Sequence, residues 1–412
     1  MPDRQPPESP RTSSPARGGA LVLTDARLAD GRTVDVRVAD GHIEAVGTAG
    51  SLAGDAARTG AARVDLRGYL LLPAPAEPHA HHDSALTADT AGPPSYAPRE
   101  VQRRTTEAAL LQLGHGATAI RTHVRIGDVT ALDALEAVLA ARRALRGLTD
   151  LGVVAVPRLL TGVAGAETRA MLRDAVGMGA GVVGGCPDLD PDPSGYTETV
   201  LGLAADHGCA VDLHTDATDA GRLSRLAAMA GGLRPGVTLG PCGGLARMPR
   251  EVATRLADQL ADAGVHVVAL PQGGCALAEA PTAPVRLLRG AGVQVAAGSG
   301  ALRDAGNPVG RGDPLEAAYL LASRGETAPQ EAYAAVSAHA RAALGLPPVR
   351  VEAGFPAELL AVRGRTLPGV LSLGYSRVVL HRGRVVARTS AVREFCDAAD
   401  AAGPGLPRQA QG

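Results

Sequence analysis

The middle of the chain, residues 71–345, repeats one pattern in which a short apolar run is followed by an amphipathic segment. The apolar runs include ATAIRTHVRI, GVVAVPRLL and GCAVDLHTDAT, and the helical segments include PREVATRLADQLADAG. Gly closes several helical segments directly before the next apolar run, where helices usually stop. Eight such units predict an α/β fold, a TIM-like (β/α)8 barrel, with its function at the carboxyl ends of the strands. An open parallel sheet is the alternative, but it would require a Gly-rich phosphate loop after its first strand, and the sequence has none there.

Segments of alternating polar and apolar residues flank the barrel on both sides. TVDVRVADGHIEAVGT precedes it and SRVVLHRGRVVAR follows it, each with a Gly-containing tight turn typical of hairpins. We therefore predict a small β-sandwich built from both chain ends, residues 19–70 and 346–392, beside a barrel at 71–345. The Pro-, Ser- and Arg-rich residues 1–18 and the residues 393–412, which end in GPGLPRQAQG, predict flexible tails.

The composition of the chain excludes several classes of partner. Its net charge is −1, aromatic residues make up 2%, and Trp is absent, so neither phosphate attraction nor base stacking favours nucleic-acid binding. No apolar run is long enough for a membrane span, and the N-terminal segment has no apolar core typical of a secretory signal. The five Cys are scattered and form no C-x-x-C pair, which favours a reducing, cytoplasmic compartment.

Three histidines fall at predicted strand ends. The first barrel strand ends in Glu77-Pro78-His79-Ala80-His81, and alternate residues of a strand share a face, so His79 and His81 point together into the barrel mouth. His82 points the other way and is interpreted as structural. The fifth strand brings His214 to the same mouth. Three neutral imidazoles and a water form a known zinc geometry, so we predict that these three bind a metal ion.

The motifs PAPAEPHAHHD, IRTHV, DLHTDATD and NPVGRGDPLE resemble the cytosine-deaminase-like branch of the amidohydrolase superfamily, from about residue 20 to about 390. The resemblance implies a TIM-like barrel beside a small β-sandwich. It implies one divalent metal, zinc or iron, that activates water against a cyclic amidine or amide carbon. It also implies that His79, His81 and His214 are ligands of that metal.

Other positions of the resembled pattern are replaced. Ala217 stands where a proton-shuttling Glu is expected, Pro241 where a polarising His is expected, and Gly300 where a metal-binding Asp is expected. Arg158, after Val156-Pro157, stands where a Gln reads the substrate, and we predict that it binds an anionic or carbonyl-rich ligand. The carboxylated Lys of two-metal relatives has no counterpart, because the chain contains no Lys.

Several residues could substitute for the missing groups, although each also has a structural interpretation. Asp216, Asp219 and Asp304 suit turns or helix caps, and Cys186, Cys242 and Cys275 suit small apolar fillers. We favour the structural interpretations. His115 and His123 are likewise interpreted as structural, since the first precedes a turn and the second lies within a strand.

These replacements predict an amidohydrolase-type protein whose activity is weak or lost and whose metal is bound weakly or not at all. Two alternatives stay open: a working metal-dependent hydrolase that uses substitute residues on a different substrate, and a non-catalytic structural or regulatory homologue. The expected partners are a small cyclic amidine or amide and, since barrels of this size commonly oligomerise, further copies of the chain.

Overall fold

The structure is a computed structural model that describes residues 19–52, 54, 60–90, 92–127, 132–163, 165–273 and 281–391. The two predicted tails, residues 1–18 and 393–412, lie outside the described residues. Within the described part of the chain, no helix has the length and hydropathy needed to span a bilayer.

Eight parallel strands follow one another in chain order around a barrel. They are β6 (Ala76–Ala80), β7 (Ala119–Ile126), β8 (Asp150–Pro157), β9 (Val182–Gly185), β10 (Ala210–Thr215), β11 (Val237–Pro241), β12 (His266–Ala269) and β13 (Gln294–Ala297). A parallel bridge between Ala80 and Gly300 joins the first strand to the chain just after the last one, and the Gly300 amide donates to the His79 carbonyl at 3.1 Å. The predicted TIM-like barrel is therefore confirmed, and the open-sheet alternative is wrong.

Helices connect and cover these strands. They are α1 (Pro98–Gly114), α2 (Asp133–Ala144), α3 (Gly165–Met178), α4 (Pro193–His207), α5 (Ala220–Ala230), α6 (Arg250–Asp262), α7 (Val285–Gly290), α8 (Pro314–Ser323), α9 (Pro329–Val336), α10 (Ala338–Ala343) and α11 (Leu367–Leu373). Asp192, Asp219 and Asp313 accept a backbone N–H at the starts of α4, α5 and α8. These side chains satisfy amide donors that have no partner within a helix, which explains where the three helices begin.

A separate mixed sheet is built from both ends of the chain. Its strands are β1 (Leu21–Arg27), β2 (Thr33–Ala39), β3 (His42–Thr48), β4 (Ala62–Asp65), β5 (Tyr69–Pro73), β14 (Leu359–Arg363), β15 (Arg377–His381) and β16 (Arg384–Thr389). Their order is β16-β15-β14-β5-β1-β2-β3, with β4 beside β1. Arg377 of β15 joins this sheet to the barrel, because it donates to both oxygens of Asp313 at 2.8 and 2.6 Å.

Strand alternation divides the residues of each barrel strand between two environments. On β10, Val211 and Leu213 belong to the apolar core between the strands and the helices, whereas Asp212 and His214 face the inside of the barrel. Glu77 and His79 on β6 and Arg121 and His123 on β7 show the same two-residue spacing. The inside of the barrel is therefore polar, and it is this interior that positions the site.

Candidate metal centre

Four histidines from three strands meet inside the barrel. His79 and His81 come from β6, His123 from β7 and His214 from β10. Each offers one ring nitrogen, and these four nitrogens all lie within 4.8 Å of one another. The ring centroid of His79 lies 4.3 Å from that of His123 and 4.4 Å from that of His214. The three histidines predicted from the sequence are thus brought together, and the structure adds a fourth.

The distances within this four-histidine cluster suit a metal ion. The Nε2 atom of His81 lies 3.3 Å from that of His79 and 3.1 Å from that of His214. Neighbouring ligands of a tetrahedral zinc ion bound at about 2.0–2.1 Å lie about 3.3–3.4 Å apart. The two contacts of His81 therefore already have the spacing of ligands that share one ion.

Hydrogen bonding alone leaves the cluster unsatisfied. Nε2 of a neutral imidazole carries either one hydrogen or one lone pair, so the Nε2 of His81 satisfies only one of its two neighbours. The Nδ1 atoms of His79 and His214 are buried without a hydrogen-bond partner among the described residues. Unpartnered buried polar atoms are costly, and a cation that accepts several lone pairs removes that cost.

Burial keeps these imidazoles neutral. It lowers the pKa of His81 to about 4 and that of His214 to about 3, with further lowering at His81 by Arg125 and at His214 by His81. Burial, followed by the neighbouring histidines, lowers the pKa values of His79 and His123 well below the ordinary value. A metal ligand must be a neutral imidazole, so these rings are ready to bind at neutral pH.

Glu77 lies beneath the cluster and shapes the strand that carries it. Its carboxyl group is fully buried and accepts from the amides of His79 and Ser299 at 3.0–3.1 Å and from the Ser299 hydroxyl. Burial outweighs these donors and raises the pKa of Glu77 to about 7. A Cβ atom on Gly298 would come within 2.5 Å of Glu77 Oε1, so glycine is needed there to admit the carboxyl group.

His123 is the residue that the sequence interpretation missed. It was interpreted as structural because it lies in the middle of an apolar strand, yet its ring faces the other three histidines. Arg121, two residues earlier, also points inward, and that spacing is the only sequence signal that could have indicated it. His115 does not join the cluster, since its Nδ1 donates to the Gly312 carbonyl at 3.2 Å, and neither does His82, whose Nε2 donates to Gln112 Oε1 at 2.9 Å.

The replaced positions carry no ionisable side chain in the structure either. Ala217 is buried with a φ of 54°, and Pro241 ends β11 after a cis peptide bond. Gly300, with a φ of 69°, forms the bridge that joins the ends of the barrel. The Glu, His and Asp that the resembled family would place at these three positions are therefore absent from this chain.

Most of the possible substitutes have structural roles. Asp219 caps α5, and Asp304 accepts from Ser84 and from two backbone amides of its own turn. The Cys242 thiol is buried, and burial, followed by the charges of Asp188 and Asp216, raises its pKa far above the ordinary value. Burial also raises the pKa of Cys186 to about 11. Cys275 lies outside the described residues.

Asp216 differs from those residues. It is half-buried directly after β10, and its backbone amide donates to Asp188 Oδ2 at 3.2 Å, as does the Thr215 hydroxyl at 2.9 Å. Burial, then the negative charge of Asp188, raises the pKa of Asp216. Arg158 is exposed just after β8, so its role in substrate binding stays a prediction.

The comparisons with known proteins agree with this geometry. No protein-family model matches the chain. A pterin deaminase of Rhizobium rhizogenes is 27% identical over 86% of this chain and 88% of its own length, and an N-isopropylammelide isopropyl amidohydrolase of a Pseudomonas strain is 27% identical over 63% and 70%. Among solved structures, an N-isopropylammelide isopropylaminohydrolase from Burkholderia multivorans is 26% identical, with a TM-score of 0.79 over 90% of this chain and 99% of its own.

A 5-methylcytosine deaminase from Klebsiella pneumoniae, liganded with 5-fluorocytosine, shares the fold with a TM-score of 0.77 at 21% identity, over 92% of this chain and all of its own. An atrazine chlorohydrolase from Arthrobacter aurescens, complexed with zinc, shares it with a TM-score of 0.65 at 17% identity, over 90% and 95%. The fold and the histidine cluster define a barrel protein with a buried site able to hold a metal ion. The chain is similar in sequence and fold to members of the amidohydrolase superfamily, the family that its motifs resemble.

The prediction of a degenerate protein with weak or lost activity is wrong. It rested on the replaced positions, among them Ala217, Pro241 and Gly300. The structure instead holds a buried cluster of four mutually close histidines, and the relatives that match most of the chain are deaminases and amidohydrolases. His123 was missed because a single histidine in an apolar strand does not show which face of that strand points into the barrel.

Proposed function

We propose that the chain is a working metal-dependent hydrolase that cleaves a C–N bond of a nucleobase-like cyclic amidine or amide. The observation that carries this proposal is the buried four-histidine cluster at the barrel interior. Neutral imidazoles are good ligands for zinc and for iron, and the ligand spacing given above favours zinc. The relatives that act on pterin and N-isopropylammelide support the ring-shaped substrate class.

His79, His81, His123 and His214 would hold the ion. A divalent metal bound by them supplies Lewis-acid activation of water at neutral pH. Glu77 fixes the backbone of His79 and thereby sets the position of the first strand's ligands. Arg158, at the carboxyl end of β8, would donate hydrogen bonds to a carbonyl-rich edge of the substrate.

Proton transfer would use a group that differs from those of the resembled pattern. Of the carboxylates considered as substitutes, Asp216 is neither a helix cap nor the acceptor of a turn. It follows the His214 strand at the barrel mouth, where reacting groups of this fold lie. We assign to Asp216 the transfer of a proton from the attacking water to the leaving nitrogen.

The test is a turnover assay on the zinc-loaded protein with pterin, N-isopropylammelide and 5-methylcytosine as probes. We expect release of ammonia or isopropylamine from at least one probe, and we expect this release to disappear when zinc is removed and in His81→Ala. An Arg158→Ala variant should raise KM while the protein keeps its zinc. Full zinc occupancy without release of an amine from any probe would contradict the proposed activity.

A further inference from the structure

Arg125 lies at the mouth of the barrel, and the mechanism above does not use it. It is the last residue but one of β7 and follows Arg121 and His123 at the same two-residue spacing. Alternate residues of a strand share a face, so its side chain leaves β7 on the side of His123, one step closer to the carboxyl end. About half of that side chain, 54%, is exposed. Arg125 therefore lies above the four-histidine cluster, at the end of the barrel where substrates bind.

Two neighbours hold the guanidinium group of Arg125 in place. Its Nε atom and its backbone amide both donate to Oδ2 of Asp83 at 3.4 Å. Its Nη2 atom donates to the hydroxyl of Tyr96. Asp83 is buried and comes two residues after His81, so its carboxylate ties Arg125 to the end of the strand that carries two of the histidines. A side chain that is already held in this way loses less conformational entropy when it binds a ligand.

One nitrogen of this guanidinium group is left for a ligand. Nη1 of Arg125 makes no hydrogen bond within the part of the chain that the structure describes. A guanidinium group donates and does not accept, so the partner of Nη1 must be an acceptor. Among acceptors, a carboxylate forms the shortest and strongest hydrogen bonds with arginine, because its charge and its planar shape both match the guanidinium group.

The charges around Arg125 also favour an anion. Arg104 of α1 donates from Nη2 to the backbone carbonyl of Asp83 at 2.6 Å, so two arginines face this one acidic residue. The nearby Glu100 pairs instead with Arg103. Asp83 can balance only one of the two guanidinium charges, which leaves a positive charge at this edge of the mouth. A cleft with such a charge attracts ligands of the opposite sign.

A structural role for Arg125 would be to fasten the loop that carries Tyr96 to the barrel. That role accounts for the bonds of Nε and Nη2, but it leaves the Nη1 atom and the excess positive charge without a purpose.

We propose that Arg125 determines substrate specificity by binding a carboxylate group, so that the substrate is a nucleobase-like ring that carries a carboxylate. This inference rests on the proposed function, because it places that ring over the four-histidine cluster. The part assigned to Arg125 differs from that of Arg158 on the next strand, which is directed to a neutral carbonyl edge of the ring.

The test measures binding to the zinc-loaded, full-length protein by isothermal titration calorimetry. It uses two pairs of rings that have no exocyclic amine to release: uracil-5-carboxylate with 5-methyluracil, and lumazine-6-carboxylate with lumazine. We expect the carboxylate of at least one pair to bind the wild type about tenfold more tightly than its neutral partner, which is the strength of one hydrogen bond to a charged group. Arg125→Ala should bring this ratio of affinities to about one, and Arg125→Lys should retain part of it.

Arg103→Ala is the matched control. Arg103 is also about half exposed, at 53%, and also paired with carboxylates, but these are Glu100 and Glu107 of its own helix. Its ratio of affinities should equal that of the wild type. If Arg125→Ala does not fold, Arg125→Gln gives the same comparison, because glutamine can still donate a hydrogen bond but carries no charge.

An unchanged ratio in Arg125→Ala would overturn the inference and leave Arg125 with the structural role alone. A wild type that binds both members of each pair equally, or binds none of the four rings, would overturn it as well. Release of an amine from the neutral probes would still support the proposed function in these cases. Conversely, a carboxylate preference that depends on Arg125, in a protein that releases no amine, would support the inference and contradict only the proposed hydrolysis.

Discussion

The Nε2 atoms of His81 and His214 lie 3.1 Å apart, although 133 positions separate the two residues in the chain. The barrel brings them together, because the strands that carry them end at the same mouth. One N–H···N hydrogen bond can satisfy this pair, but His81 Nε2 also lies 3.3 Å from His79 Nε2, and a cation among the rings would satisfy the lone pairs of all three. The barrel thus brings histidines that are scattered along the sequence into one candidate metal centre.

Replacing His81 should remove the metal. His81 Nε2 contacts both the His79 and the His214 nitrogens, so His81→Ala deletes the member that links them. We expect zinc retained after exhaustive dialysis, measured by plasma mass spectrometry, to fall from about one equivalent per chain to near zero. His115→Ala serves as the control, since His115 binds only a backbone carbonyl. Unchanged zinc content in His81→Ala would exclude the site.

Replacing His123 distinguishes four ligands from three. If His123 is a ligand, His123→Ala should lower zinc affinity by about tenfold or more while the protein stays folded. If only the three histidines predicted from the sequence bind the ion, the affinity should not change. Competition with a chelator measures the affinity, and circular dichroism confirms the fold.

The different outcomes for these histidines show what the sequence could predict. The sequence predicted the (β/α)8 order correctly, and it predicted that His79, His81 and His214 come together. These predictions were possible because apolar runs and the two-residue spacing of inward-facing residues are local properties of the sequence. The position of His123 could not be predicted in this way, because its neighbours come from other strands and distances between strands are set by barrel closure. Arg121-x-His123 and Asp212-x-His214 have the same spacing as His79-x-His81, but a sequence does not show that the three pairs face one another.

Removing the carboxylate of Asp216 should slow the reaction without loss of metal. General acid–base transfer contributes about 10²–10⁴ in rate, so Asp216→Asn should lower kcat by at least about 100-fold on whichever probe the wild type turns over. Asp219→Asn changes an exposed carboxylate of the same segment that caps α5 and pairs with Arg222. Its kcat should stay within about twofold of the wild type, since a helix cap takes no part in proton transfer. An Asp216→Asn variant with full activity would assign proton transfer to another group.

The ion pair between Asp313 and Arg377 should make the protein sensitive to acid. Burial alone raises the pKa of Asp313, but the hydrogen bonds and charge of Arg377 outweigh it and hold that pKa below its ordinary value. A lowered pKa means that the pair stabilises the fold above the unfolded-state pKa, about 3.9, and that this contribution is lost as the pH falls through the folded-state pKa. Asp313→Asn should therefore cost about 3 kcal/mol of unfolding free energy at pH 7, because it leaves Arg377 buried without its partner.

The difference in unfolding free energy between Asp313→Asn and the wild type should shrink toward pH 3, as measured by urea unfolding at each pH. A difference in unfolding free energy that stays constant from pH 7 to pH 3 would show that the charge of Asp313 does not stabilise the contact between the separate mixed sheet and the barrel. Asp313 would then act only as the cap of α8.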